Sequence, residues 1–429
     1  MSILNRTIAP PFQTISKIAF PWPVPVETKR EQLPPIFELK ALNMPAIQLK
    51  FVMRSGSYNE FKPGLAYLTT QLLAAGTKNR TAQFLADQLD YHGAKLSIKV
   101  RADNSTLSLM FLPKYFKQLL SLSMEMLFAS TMPEEQIDLY KKIKIQAIKL
   151  EEAHNAQIAF KRFKAALFGE QHPYGYSLTE KNIQAVNRQD ILSYYNDALL
   201  SAYTVCITGP TAKMHIEALE NALAIHYPST SVPLHAATEL TLPSKQVAQK
   251  INLPKENSLQ TAICIGKILF PKTHPDYFAL YITTALLGGY FGSRLMCNIR
   301  EEKGYTYGIH AQIVTLRNTS YLLISTEAIK TFARQTCEEI YKEIMILQEH
   351  EVKWKELNTL KNYLAGNFLT KIDTPFSIVK SFQEAYLQGL DQKFYFDFYD
   401  TLQKITPTEI KEMANKYLQI DTLTEIKVG

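Results

Sequence analysis

Cysteine is scarce: the 429 residues hold four, Cys206, Cys264, Cys297 and Cys337, with no CxxC spacing among them. That argues against a cysteine zinc site or a disulfide framework, and for free thiols, three of them in strongly apolar stretches, in a reducing compartment. Long apolar runs are missing too, so no segment approaches the length of a bilayer-spanning helix. At the amino terminus, Met1-Ser-Ile-Leu-Asn-Arg-Thr-Ile-Ala-Pro-Pro11 is interrupted by proline and polar residues before an apolar export signal can form. The expectation is a cytoplasmic protein with no membrane partner.

Runs of one charge are also lacking. The net charge of +7 is dispersed along amphipathic segments such as Lys141–Lys149, which reads as a solvated helix face and excludes nucleic acid as the expected partner. No Gly-Lys-Ser/Thr follows a βαβ pattern, so a phosphate loop is excluded as well. The nine histidines contain no HxxEH or HExxH pair, and His154, His172 and His310 stand alone as surface or satisfied side chains. With 46% apolar and 20% charged residues, the chain is globular and long enough for two or three cores.

What is present is a repeat at about half the chain. Tyr67-Leu-Thr-Thr-Gln-Leu-Leu-Ala74 recurs as Tyr281-Ile-Thr-Thr-Ala-Leu-Leu-Gly288. Alternating strands precede each copy: Ile47, Leu49, Phe51 and Met53 in one half, Thr261–Ile268 in the other. A helix-ending glycine and a strand follow each copy, at His92–Ile98 and Lys303–Ile309. Further strands at Thr106–Leu112 and Tyr321–Thr326 lead into amphipathic helices around 134–165 and 330–349, and each half closes on a helix and a strand, Tyr203–Thr208 and Leu423–Val428. Strands clustered before helices predict an α+β fold of two homologous domains, each a mostly antiparallel sheet covered on one face by helices. The proline and small polar residues of His226–Ala237 read as a linker. The expected division is a first domain at 1–228, a linker at 229–240 and a second domain at 241–429. Residues 1–46, with Pro34, Pro35 and Pro45, are expected to form an irregular lead-in.

Gly64-Leu-Ala-Tyr-Leu-Thr-Thr-Gln-Leu-Leu-Ala-Ala-Gly-Thr77 resembles the zinc-binding segment of the M16 metallopeptidases, the pitrilysin and mitochondrial processing peptidase family with a LuxS/MPP-like fold. In that segment His-x-x-Glu-His lies on a helix: histidines at i and i+4 share one face and bind the metal, and the glutamate polarises its water. Here those positions hold Tyr67, Thr70 and Gln71, which supply neither ligand nor base at neutral pH. The family's third ligand, a glutamate further along, would fall within Gln146–Ile148, centred on Ala147, where there is no carboxylate. Glu151 and Glu152 lie about one turn away and do not align. The resemblance therefore implies no metal and no cofactor in this chain. His172-Pro-Tyr-Gly175 matches a structural turn of the family.

The second half keeps more. Leu287-Gly-Gly-Tyr-Phe-Gly-Ser-Arg-Leu-Met-Cys-Asn-Ile-Arg-Glu-Glu-Lys-Gly-Tyr-Thr-Tyr-Gly308 resembles the family's carboxy-terminal signature, with Arg300 and Tyr307 at its functional positions. Gly288, Gly289 and Gly292 suit a sharp helix connection, and Ser293 suits the N-cap of a helix ending at Gly304. The resemblance implies the zinc-less subunit of a bacterial heterodimeric M16B peptidase. Arg300 and Tyr307 would face the zinc of a homologous HxxEH-containing partner, and an unfolded peptide substrate would lie between the subunits. Alternatives are a structural scaffold and a peptide-binding homodimer without catalysis.

Overall fold

The structure, a computed structural model, describes residues 24–28, 30, 33–226 and 247–429. The expected linker at 229–240 lies outside the described residues. The first half forms strands β1 (Val26–Thr28), β2 (Ile36–Lys40), β3 (Ile47–Met53), β4 (Lys95–Val100), β5 (Ser105–Phe111) and β6 (Tyr203–Gly209). The second forms β7 (Lys250–Leu253), β8 (Gln260–Leu269), β9 (Thr306–Thr315), β10 (Ser320–Ile329) and β11 (Thr424–Val428). Helices of the first half are α1 (Leu65–Leu72), α2 (Ala82–Tyr91), α3 (Phe116–Phe128), α4 (Glu134–Ala153), α5 (Asn155–Phe168), α6 (Glu180–Ala185), α7 (Arg188–Tyr194) and α8 (Lys213–Ala224). Those of the second are α9 (Tyr277–Gly288), α10 (Ala333–Glu349), α11 (Trp354–Thr370), α12 (Pro375–Tyr386), α13 (Lys393–Lys404) and α14 (Pro407–Tyr417).

The result is a two-domain α+β fold. Sheet order is β1-β2-β6-β3-β5-β4 in the first half and β7-β11-β8-β10-β9 in the second. Each is antiparallel except for one pair, β2 with β6 and β7 with β11. Period-two alternation explains the burial. Ile47, Leu49, Phe51 and Met53 point into one core with α1 and α3, and Ile263 and Ile265 into the other with α9 and α10. The glycine ending each repeat unit is left-handed, Gly93 at φ 60° and Gly304 at φ 65°, where a Cβ would be strained.

The reciprocal covering of the far sheet faces goes beyond the sequence reading. Ala262, Cys264, Tyr321 and Leu323 face away from their own helices and pack against Ala159, Phe163 and Leu167 of α5, which belongs to the first half. Conversely, Phe37 on β2 meets Phe382 and Tyr386 of α12, each with ring centroids 4.8 Å away. Fully burying a side chain such as Phe163 is worth about 2–3 kcal/mol, so each exchanged helix is a major contributor.

Two expectations need correction. The helix expected over 134–165 is two helices, because His154 adopts an extended conformation at φ −96°, ψ 122°. That break turns α5 toward the other half's sheet. The lead-in is not irregular throughout: Ile36, Phe37 and Leu39 are buried, and β2 pairs in parallel with β6. Pro34 and Pro35 end just before that strand, where a missing N–H costs no ladder bond.

Candidate functional site

Helix α1 carries Tyr67, Thr70 and Gln71, the positions expected of a degenerate zinc motif. Its N-terminal N–H groups are satisfied by Glu60, whose carboxylate accepts from Gly64 N at 3.1 Å and Ala66 N at 2.8 Å and also takes the Tyr176 hydroxyl. Thr70 is fully buried. Its hydroxyl donates to Ala66 O at 2.7 Å and to Ser105 Oγ at 3.3 Å, so it is a packed structural group. Tyr67 and Gln71 are half-buried on the exposed side of the helix. Burial, and then the neighbouring Tyr140, push the Tyr67 phenol above its ordinary 10. It is therefore neutral at physiological pH and offers a metal no phenolate.

Opposite Tyr67 stands α4. Ala147 is half-buried there, and one turn earlier the Lys144 ammonium lies 5.0 Å from the centroid of the Tyr67 ring. Lys144 also reaches Glu151 at 3.9 Å, and Lys161 holds the other Glu151 oxygen at 2.9 Å. The Glu151 carboxylate, one turn beyond Ala147, is thus already paired with two ammonium groups. A cleft of about 450 Å³ lined by Glu60, Tyr67, Lys144 and Lys164 follows this helix pair. Among the described residues no group of three or more His, Cys, Asp or Glu side chains is placed to hold a metal. His172 is a turn residue, buried, with its Nδ1 accepting from Tyr174 N at 3.1 Å.

The second half brings Arg300 and Tyr307 together. The Arg300 guanidinium carbon lies 5.3 Å from the Tyr307 ring centroid and 4.7 Å from that of Phe291, a cation sandwiched between two aromatic faces. Phe291 and Tyr307 are 60% and 86% exposed. Among the described residues neither the Arg300 guanidinium nor the Tyr307 hydroxyl has a hydrogen-bond partner. Arg294, six residues earlier, behaves differently: it forms a two-pronged pair with Glu356 at 2.7 and 3.0 Å, which pins this segment to α11.

Local structure explains how Tyr307 is presented. It lies on β9, the edge strand of its sheet. Pairing jumps from Ile309 opposite Thr326 to Thr306 opposite Ala328, so Tyr307 and Gly308 together oppose Glu327 in a β-bulge. Thr306 Oγ1 holds the bulge by donating to Glu327 O at 2.8 Å, and the irregularity re-aims the tyrosine. Arg300 sits in a π-helical turn, Met296–Glu302, a wound segment common at functional sites. Gly288 is needed for approach and not for turn conformation: a Cβ there would come 2.7 Å from Ala311. Ser293 does not cap the helix; its buried hydroxyl has no partner among the described residues.

Comparison with known proteins places this site in a family. The model described as Insulinase (Peptidase family M16) matches residues 42–181, and that described as Peptidase M16 inactive domain matches 185–364. A "Non-peptidase homolog YmxG" of Helicobacter pylori is 22% identical over 93% of this chain and 92% of its own length. An "Uncharacterized zinc protease YmxG" of Bacillus subtilis is 21% identical over 72% of this chain and 75% of its own. The fold is similar to a peptidase M16 inactive domain from Pseudomonas fluorescens, with TM-score 0.84, 20% identity and coverage of 94% and 98%. It is also similar to a Helicobacter pylori protease, with TM-score 0.85, 17% identity and coverage of 94% and 99%. The chain belongs to the M16 peptidase family. Within it, the chain reads as an inactive homologue; Tyr67, Gln71 and Ala147, the expected positions of the zinc motif, carry no side chain suited to the metal.

Reading the sequence alone missed Phe291, which completes the arginine sandwich, and Lys144, which faces the empty motif. Phe291 lies inside the quoted glycine turn, so an aromatic flanked by glycines was the available signal. For Lys144 the signal was its place one turn before Ala147.

Proposed function

We propose that this chain is the zinc-less subunit of a heterodimeric M16 peptidase. It contributes Arg300, Tyr307 and part of the cavity wall opposite the zinc of a homologous HxxEH-bearing partner. The observation that carries this reading is the Phe291–Arg300–Tyr307 stack, a stacked guanidinium and phenol with no hydrogen-bond partner among the described residues. Stacking limits the rotamers of both side chains before a ligand arrives, which lowers the entropy lost on binding. A guanidinium fork and a phenol can donate to a peptide carbonyl, and more strongly to the oxyanion that forms when water attacks it. Among the described residues no side-chain group is placed to hold a metal that would activate that water, so in this reading the partner supplies it.

The test is co-purification with an HxxEH-bearing homologue, followed by peptide-hydrolysis assays of each chain and of the mixture. Activity confined to the mixture, and reduced by Arg300→Ala and Tyr307→Phe, is the expected result. Zinc bound stoichiometrically by the isolated chain, or full activity of both variants, would overturn it. A second reading, a structural or peptide-binding homologue with no catalytic role, draws support from the Helicobacter pylori relative named a non-peptidase. It predicts that no mixture cuts peptides.

A further inference from the structure

The far faces of the two sheets differ in chemistry. In the second half that face is apolar and α5 closes it. In the first half the β2–β6 side carries Phe37, which α12 covers. On β3, β4 and β5 the same face presents Gln48, Lys50, Ser97, Lys99, Thr106 and Ser108. Between these strands and the flank of α12 lies a cavity of about 700 Å³.

Its lining is strongly cationic, with seven basic side chains and two acidic ones. Lys99, Arg101, Arg317 and Lys380 are exposed at its rim, while Lys50 and Lys272 are drawn further in. Burial lowers the proton affinity of both these lysines, and Glu384 is the carboxylate that opposes the effect in each case. Among the described residues neither makes an ion pair; Lys272 only stacks over Phe394 at 4.7 Å. The second acid, Asp103, is already engaged by the Tyr174 hydroxyl and the Arg317 N–H. The side-chain oxygens of Gln383 and Gln388, also in the lining, are buried without a partner among the described residues.

Ammonium groups drawn partly out of water without an ion-pair partner are costly to keep charged, and a concave surface of one sign concentrates the field on whatever enters. We propose that this cavity binds a small polyvalent oxyanion, a phosphate- or carboxylate-bearing molecule whose hydroxyl or amino groups donate to Gln383 and Gln388. Lys50, Lys99 and Arg101 approach it from the first half, and Lys272, Arg317 and Lys380 from the second, so the ligand ties the halves together. The volume suits a small molecule, and the site is independent of any zinc-bearing partner.

The test is isothermal titration of the full chain with inorganic tripolyphosphate in one arm and citrate in the other, at near-physiological salt. Binding tighter than about 1 mM in at least one arm is expected, and the stronger arm identifies the source chemistry. Lys50→Met and Lys272→Met should each weaken it by about tenfold or more, with Lys142→Met on an exposed helix face as the unaffected control. Without anion, Lys50→Met should melt no lower than the parent protein, since it removes an unpaired charge. Arg317→Ala, at the exposed rim, gives a second variant that does not disturb the sheet, and it too should weaken binding. The proposal is overturned if neither anion binds, if the Lys272 and Arg317 variants bind as well as the parent, or if the control weakens binding equally.

Discussion

Asp103 and Arg317 lie 214 residues apart, and the Asp103 carboxylate accepts the Arg317 backbone N–H at 3.0 Å. Its other oxygen takes the Tyr174 hydroxyl at 2.6 Å. A loop of the first half is thereby fastened to the β9–β10 turn of the second through a charged acceptor in a partly buried setting, a stronger bond than a neutral one. Asp103→Ala should cost about 2–3 kcal/mol and speed hydrogen exchange at the Arg317 amide. Unchanged exchange there would mean that the contact does not hold the halves.

Arg300 and Tyr307 make the opposite prediction. Because Tyr307 is exposed and the Arg300 guanidinium stacks only on exposed rings, Arg300→Ala and Tyr307→Phe should leave the stability of the isolated chain within about 1 kcal/mol. In a proteolytic mixture, removing an oxyanion donor should lower kcat by about a hundredfold. Arg300→Lys should not restore it, since an ammonium lacks the planar fork and stacks poorly. Circular-dichroism melts and steady-state kinetics on the same preparations separate the two effects.

Much of this was legible in the sequence, and the rest had physical reasons to be hidden. Alternation located β3 and β8 to within a residue because a half-buried strand must alternate. The expectation of an emptied motif at Tyr67, Thr70 and Gln71 rests on zinc's demand for particular ligands at fixed spacing. The break at His154 was not, since the helical period continues across it and only the destination of α5 requires the chain to turn. Nor does periodicity say which sheet an apolar face will meet, so the crossing of α5 and α12 was invisible. The bulge at Tyr307 depends on cross-strand register, which a single strand does not encode.

Restoring the metal motif should fail on its own. Tyr67→His, Thr70→Glu, Gln71→His and Ala147→Glu together would return the ligand set, but Thr70 is fully buried and hydrogen-bonded. A carboxylate forced in there is expected to cost about 3 kcal/mol or more. Lys144 would also oppose a divalent ion from beside residue 67. Metal analysis after dialysis should find little zinc in the fourfold variant, and more once Lys144→Met is added. Stoichiometric zinc without that fifth change would refute the role given to Lys144.

Acid sensitivity should be traceable to Glu425. Burial pushes its carboxyl up, but the Tyr341 hydroxyl at 2.6 Å and the Lys427 ammonium at 2.9 Å outweigh burial and hold it below the ordinary 4.5. A group whose folded value is depressed contributes stability that is fully present above its unfolded value and is lost as pH falls through the folded one. Glu425→Gln should therefore lower the denaturation midpoint at pH 7, and the gap should close as the pH falls below the ordinary 4.5 and through the depressed folded value. Denaturant titrations across that range supply the check; a gap independent of pH would place the effect elsewhere.

The exchange of α5 and α12 bears on ancestry. A single copy of the repeated unit would leave one sheet face bare and one helix without a surface, so it could have been stable only as an obligate pair of identical chains, each lending the other a helix. Joining two such genes end to end would preserve every contact and release each copy to change by itself.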